Sequence, residues 1–348
     1  MTRPLRIAQV APVATSVPPP RSGSIELLTA QLTNGLVARG HAVTLFATGD
    51  SVTRATLHAT FARGYRDDLT LWSWELAELM NLAAAVERAG QFDLIHCQSE
   101  YYPMSLAFGR LVATPVLHTV HYAPADDEVH MWRRYPEAPF VAVSAAQARR
   151  LSGLRVVGTV PHAVDTDALP FQAVPAGYLL FLGRFTEGKG VLEAIEVARR
   201  AGLPLRLAAE ANDYYREVVA PHVDGTAVVY AGEVSGADKA ALLGGARALL
   251  YPLQKPESFG LVLAEAMACG TPVAALDCGA VGEVVDQDVT GGVFPSLDAL
   301  VAGLPGVLAL DRHAVRGAAE ARFGLSRMIA AYETIYHQLA ARRPDSPG

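Results

Sequence analysis

The feature that most constrains this chain is an alternation of short apolar runs with helix-period segments, broken once and then resumed. Such alternation is the pattern of βα units, which close into a parallel sheet with helices on both faces. Arg6 to Val10 reads as a strand, a proline-rich loop runs from Pro12 to Gly23, and a helix follows from Ser24 to Arg39. Gly40 stands where a helix C-terminal glycine belongs. Ala42 to Ala47, Leu94 to His96, Val116 to Val120, Phe140 to Val143 and Arg155 to Val160 read as further strands. A helix is expected near Leu76 to Gly90, and Ser144 is placed to cap another. Prolines 161, 170 and 175 then interrupt the pattern. It restarts at Tyr178 to Leu182 and runs to a terminal helical stretch from about Ser326 to Ala341.

Length agrees with two such blocks: 348 residues, at roughly 150 per domain, give a little over two. The reading is an α/β chain of two doubly wound domains, 1–165 and 166–325, then a helix 326–342 returning to the first domain and a tail 343–348. Hydrophobic residues at 51% against 18% charged exclude disorder as the main state. A formal charge of −6 argues against nonspecific nucleic-acid binding. Cys97, Cys269 and Cys278 have no paired spacing, so neither a disulfide framework nor a cysteine zinc site is expected. Met1 leads directly into the first strand rather than a signal peptide, and no apolar run approaches the ~18 residues of a membrane span. A cytoplasmic protein with no transmembrane segment is expected.

Doubly wound sheets bind ligands beyond the carboxyl ends of their strands. Two segments there carry chemistry. Glu257-Ser258-Phe259-Gly260-Leu261-Val262-Leu263-Ala264-Glu265 sets two carboxylates eight residues apart, one in a loop and one within a helix. Glu265 interrupts the apolar run Leu261 to Met267, where packing alone would select an apolar side chain. The helix start at Gly260 offers free N–H groups and a dipole that favour an anion. Gly183-Arg184-Phe185-Thr186-Glu187-Gly188-Lys189-Gly190 lies between a strand and a helix. Its Arg184 fork and mobile Lys189 charge suit a diphosphate. The same segment nearly matches a P-loop, but Gly190 stands where a magnesium-binding hydroxyl would be.

Weaker signals lie in the first half. Gly23 and Ser24 open a helix and suit phosphate or sugar oxygens. His118 and His121, three apart at a strand end, lack the helical geometry of a metal pair, although Asp126, Asp127, Glu128 and His130 follow. One histidine hydrogen-bonding a substrate and a satisfied structural histidine both stay open. No nucleophile elbow and no Gly-x-Gly-x-x-Gly is present.

Taken together, the first strand, the glycine loop before Glu26, Leu36 to Val43, Asp93 to His96, Thr119 to His121, Gly183-Arg184 with Lys189, and Glu257 through Val273 resemble the family 4 glycosyltransferases. That resemblance covers nearly the whole chain. It implies the GT-B fold, two Rossmann-like domains facing across a cleft, and retaining, metal-independent transfer from a nucleoside-diphosphate sugar, UDP- or GDP-linked. It further implies that Glu265 binds the ribose hydroxyls, Glu257 meets the sugar, and Arg184 with Lys189 neutralises the diphosphate. The N–H groups of Gly260, Leu261 and Val262, flanked by Ser258 and Phe259, assist. Gly23 and Ser24 meet the phosphate, His121 lies beside the sugar, and Val234 pairs with the base.

The partner set implied is a nucleotide-sugar and a small-molecule or glycan acceptor, with no cofactor, no metal and no nucleic acid. The loops Thr48 to Trp74 and Tyr122 to Pro139 are expected to hold the acceptor. The alanine- and arginine-rich composition suits a high-GC bacterium, with an antibiotic or cell-envelope pathway as the setting. Gly23-Ser24 departs from the family's double glycine, and Glu187-Gly188 from its usual Pro-Glu. A P-loop ATP-using enzyme and a noncatalytic nucleotide-sugar-binding protein remain the alternatives.

Overall fold

The computed structural model describes residues 3–68, 70, 73–99 and 102–341; the expected tail 343–348 and part of the loop Thr48 to Trp74 lie outside them. Two compact units result. One holds the chain as far as His162 and takes back the helix that begins at Leu325; the other is Ala163–Gly324.

In chain order the first unit contains β1 Arg6–Val10, α1 Ser24–Ala38, β2 Ala42–Ala47, β3 Thr56–Ala59, α2 Trp74–Val86 and β4 Leu94–Cys97. It continues with α3 Tyr102–Gly109, β5 Val116–Thr119, α4 Asp126–Trp132, β6 Pro139–Ala142, α5 Ala145–Arg150 and β7 Arg155–Thr159. The sheet order is β3-β2-β1-β4-β5-β6-β7, with every pairing parallel. Its central strands β4, β5 and β6 are buried along their whole length, as strands covered on both faces must be.

The second unit contains β8 Tyr178–Leu182, α6 Val191–Ala201, β9 Leu205–Ala208, β10 Val228–Gly232, α7 Gly236–Gly245 and β11 Ala246–Tyr251. Then come α8 Leu261–Ala268, β12 Val273–Leu276, α9 Val281–Val284, β13 Gly291–Phe294, α10 Leu297–Leu308 and α11 Arg312–Phe323. Its sheet runs β10-β9-β8-β11-β12-β13, again all parallel. The terminal helix α12, Leu325–Ala340, packs on α1 in the first unit. Ile329 lies so close that a Cβ on Gly35 would stand 2.2 Å from its Cδ1.

Two segments read as loops contain regular structure. The stretch from Thr48 to Trp74 includes β3, an edge strand whose half-exposed residues give only a weak periodic signal. The stretch Tyr122 to Pro139 includes α4, whose Glu128 carboxylate accepts from the Ala125 amide at 2.8 Å and closes the helix start.

A buried cation ties the second unit together. The Arg312 guanidinium donates to the carbonyls of Gln172, Ala246 and Gly244 at 2.8, 2.9 and 2.7 Å, and to Thr271 Oγ1 at 2.8 Å. These four acceptors come from the stretch before β8, the start of β11, the end of α7 and the approach to β12. Burial lowers the Arg312 pKa below the ordinary arginine value. Arg312→Met strips partners from buried carbonyls, each costing about 1–3 kcal/mol when unsatisfied. Urea unfolding should therefore show a loss of about 3 kcal/mol or more; a loss under about 1 kcal/mol would mean that the carbonyls find other donors.

Candidate active site

In the second sheet the strand order reverses between β8 and β11, and ligands of such sheets bind beyond the carboxyl ends at that switch point. Both motifs singled out in the sequence leave from it. The loop after β8 carries Gly183 to Gly190, and the loop after β11 carries Pro252 to Gly260. Main chain joins them: the amides of Gln254 and Lys255 donate to the Gly188 carbonyl at 3.0 and 3.3 Å. At Gly190, φ is 74° and a Cβ would fall 1.9 Å from the Pro252 carbonyl oxygen, so the two loops approach as closely as glycine allows. A third loop, after β12, presses on Glu257 from the other side. A Cβ on Gly279 would lie 2.4 Å from the Glu257 carbonyl oxygen, which accepts from the Ala280 amide at 3.0 Å.

With its peptide fixed, the Glu257 side chain gathers partners. Its Oε2 pairs with Lys189 Nζ and accepts from the Tyr251 hydroxyl at 3.0 Å, while Oε1 accepts from the Ser258 amide at 3.2 Å. Burial pushes this carboxyl up, but the Lys189 charge and the hydrogen bonds outweigh it and hold the group below its ordinary value. Burial and the adjacent carboxylate push the Tyr251 phenol well above its ordinary value, so it remains a donor. Ser258 is buried and its Oγ has no partner among the described residues. Phe259, also buried, meets Phe323 edge-on at 5.5 Å and anchors the turn into α8. Gly260 precedes that helix, and half-buried Leu261 and Val262 begin its first turn, where amides lack intrahelical partners.

Glu265, one helical layer deeper, is buried and pairs with Lys239 Nζ of α7 at 2.6 Å. Each glutamate thus has its own lysine. Lys239 escaped the sequence reading, since its only signal is a single cation on an alanine-rich helix 26 positions away. Arg184 is exposed and makes no hydrogen bond or ion pair among the described residues, so its fork is free to meet a ligand. Val234 lies half-buried between β10 and α7.

In the first unit, Gly23 and Ser24 do open α1, but a carboxylate already occupies that helix start. Glu26 is buried, and its Oε2 would stand 2.8 Å from a Cβ on Gly23. Burial holds the Glu26 carboxyl above its ordinary value, against the pull of its own amide and Arg66. The two histidines do not converge. His118 lies on β5 against Phe140, its Nδ1 3.4 Å from the Pro139 carbonyl, whereas His121, past the strand end, bonds Gln98 Oε1 through Nε2 at 2.9 Å. The His121 ring stacks on His162 at 5.2 Å, and its Nδ1 has no partner among the described residues. Burial and the neighbouring His162 and His96 keep it neutral, with a pKa well below 6.5.

Elsewhere, His41, Glu333 and His337 bring three possible metal-ligand atoms within 4.8 Å. His41 Nδ1 accepts from the Leu5 amide at 3.1 Å, so its proton sits on Nε2, donating to Glu333 at 3.1 Å. Arg39 also pairs with Glu333 at 2.7 Å, which places a fixed cation on the only carboxylate. This trio is a poor cation site. No described helix is long and apolar enough to cross a membrane.

Comparison with known proteins identifies what these two sheets and loops belong to. Residues 25–168 match the model of "Glycosyltransferase Family 4" and residues 173–322 that of "Glycosyl transferases group 1". The chain belongs to the bacterial family 4 glycosyltransferases and is a glycosyltransferase of the GT-B fold, with two Rossmann-like domains. It is 25% identical to the phosphatidyl-myo-inositol mannosyltransferase of Mycobacterium leprae, over 95% of this chain and 97% of that one. A 95-residue stretch, 25% of this chain and 23% of the other, is 44% identical to the D-inositol 3-phosphate glycosyltransferase of Xylanimonas cellulosilytica. Among solved structures, AviGT4, a glycosyltransferase involved in avilamycin A biosynthesis, superposes with a TM-score of 0.73 at 24% identity, covering 97% of this chain and 98% of that one.

The Lys189–Glu257 pair carries a pH signature. A carboxyl depressed on folding adds stability above its ordinary value of 4.5, and that contribution is lost as the pH falls through the folded value. Between about pH 5 and pH 3, wild-type stability in urea should fall more steeply than that of Glu257→Gln. Parallel profiles would mean that Lys189 does not hold the carboxylate.

Proposed function

We propose that the chain transfers a hexosyl residue from a nucleoside diphosphate, UDP or GDP, to an acceptor hydroxyl, with retention of configuration and without a metal ion. The observation that carries this reading is the convergence of three loops at the β8/β11 switch point, where Lys189, Glu257 and the buried Ser258 hydroxyl meet the start of α8. Lys189 and Arg184 supply two positive charges, and the helix start supplies N–H groups, together suited to a diphosphate. Glu265, fixed by Lys239, is the acceptor for ribose hydroxyls, and the chain around Val234 meets the base. Glu257 faces the sugar. In the first unit Gly23 and Ser24 serve the phosphates, with Glu26 yielding the helix start, and the bare Nδ1 of His121 accepts from a sugar hydroxyl. The mannosyl transfer named for the mycobacterial relative supports a hexose.

The chemistry follows from charge. The bond between the anomeric carbon and the diphosphate oxygen breaks with its electron pair going to the phosphate. The acceptor oxygen forms its bond to carbon on the same face, and its proton passes to the departing phosphate oxygen. Fixed cations and helix N–H groups stabilise the leaving charge, each preorganised donor contributing about 3 kcal/mol. Such a clamp does the work of a divalent cation.

Calorimetry tests the site. UDP or GDP should bind equally with EDTA and with magnesium; binding that requires magnesium would overturn the metal-free reading. The glutamates should separate. Glu265→Ala weakens nucleotide binding about 10-fold or more, as charged hydrogen bonds of ~1.5–3 kcal/mol require. Glu257→Ala chiefly lowers kcat.

Hydrolysis of UDP-glucose and GDP-mannose, assayed in parallel, gives the second readout. In whichever donor turns over, Arg184→Ala should lose about 10²–10³-fold in rate, the scale of one transition-state donor. Wild-type turnover in that variant would remove the diphosphate clamp from the reading.

A further inference from the structure

The floor of the first sheet holds a polar network that the transfer chemistry leaves unexplained. It links β1, β4, β5 and α12 beneath His121. The Gln9 amide donates to the Tyr336 hydroxyl at 2.9 Å, and Tyr336 lies 2.5 Å from His96 Nδ1. His96 Nε2 lies 2.7 Å from Thr119 Oγ1, which lies 3.0 Å from the Tyr332 hydroxyl. Gln98 Nε2 reaches Gln9 Oε1 at 3.3 Å and His96 Nδ1 at 3.2 Å, and Gln98 Oε1 meets His121 Nε2 at 2.9 Å. Gln9, His96, Gln98, Thr119, Tyr332 and Tyr336 are all buried.

With the Gln9 and Gln98 amides orientated as in the structure, one arrangement of protons satisfies these contacts. Because Gln9 donates through its amide nitrogen to Tyr336, its Oε1 is left as an acceptor. Tyr336, having accepted from Gln9, donates its hydroxyl proton to His96 Nδ1. That nitrogen is therefore bare. Neutral imidazole then carries its proton on Nε2, which donates to Thr119; burial drives the His96 pKa down to about 3, so no second proton competes. Gln98 consequently faces two acceptors, Gln9 Oε1 and His96 Nδ1, and must turn its NH₂ toward them. Its carbonyl oxygen is thereby forced toward His121, which can meet it only with an N–H.

We propose that Gln98 is the positioning residue of His121. Its amide, orientated by Gln9, His96 and Tyr336, holds the His121 proton on Nε2 and keeps Nδ1 a hydrogen-bond acceptor. The consequence is chemical selectivity at that nitrogen. That nitrogen is buried in the ligand-free protein, so a ligand group that reaches it must donate, as an O–H or N–H does, and a phosphate or carboxylate oxygen is turned away. This inference rests on the proposed function only for its purpose; the proton placement follows from the ligand-free protein.

Nitrogen NMR of the full chain labelled at histidine tests it. The chain has ten histidines, and His121→Gln identifies the signal by its loss. Wild type should show one tautomer, protonated at Nε2 and bare at Nδ1. A proton on Nδ1, or a mixture of the two forms, overturns the proposal without any variant.

Gln98→Leu removes the acceptor and should introduce the Nδ1–H form; Gln98→Glu keeps an acceptor and should retain Nε2–H. A Gln98→Leu spectrum identical to wild type also overturns the proposal. In donor hydrolysis, Gln98→Leu should lower the rate about 10-fold, the scale seen when the outer partner of a functional histidine is lost. Gln98→Glu should recover part of it. If the expected tautomer is found while neither UDP nor GDP binds, the positioning stands and the transfer reading fails.

Discussion

The close backbone contact around Glu257 is the constraint on which the second unit's site depends. A helix start, two cations and a carboxylate are ordinary features, and any one of them occurs in many α/β chains. What makes them a site is that the loops after β8, β11 and β12 touch with no room for side chains between them, at Gly190 against Pro252 and at Gly279 against Glu257. The Glu257 carboxylate, its peptide so held, meets Lys189, Tyr251 and the Ser258 amide. Close packing of backbone is a stiffer restraint than any hydrogen bond between long side chains. It is also what fixes the depth at which Ser258 and Gly260 begin α8.

The two glutamates solve one problem in two ways. Glu265 is buried and Glu257 half-buried, and each carboxylate is met by its own lysine. Glu257 takes Lys189 from a glycine loop. Glu265 takes Lys239 from the first turn of a helix, and its geometry is set by two packed helices, α7 and α8. The first arrangement leaves the carboxylate on a loop, and the second fixes it between two helices.

Much of this was legible in the sequence because the signals were local. Glu265 betrayed itself by interrupting an apolar helix, and the glycines between a strand and a helix marked the loop at Arg184 and Lys189. The bounds of β1 and β2 followed from their short apolar runs. What was not legible came from side chains whose partners are distant in sequence. Lys239 looks like a solvated lysine, Tyr251 like the last residue of a core strand, and Gln98 like a polar residue ending one. Gly23 and Ser24 read as an open helix start, whereas the fold brings the buried Glu26 carboxylate over it. The strand β3 and helix α4 were hidden for a different reason: both are short and at the rim, where half-exposure blurs the apolar period.

The first unit carries the more costly design. Placing Gln9, His96, Thr119 and Gln98 inside a parallel sheet would be strongly destabilising if any donor or acceptor were left unmatched. The sheet satisfies them only in part by itself, pairing His96 with Thr119 and Gln98 with Gln9. Helix α12 brings the missing groups, the hydroxyls of Tyr332 and Tyr336, from the far end of the chain. A hydroxyl is the appropriate group, since it accepts from one neighbour and donates to the next, and so passes a sense of direction along the network. A phenylalanine there would pack as well and convey nothing. The return of the chain to its first domain is thus more than a brace: its hydroxyls complete the network through which the Gln9 and Gln98 amides set the face His121 offers.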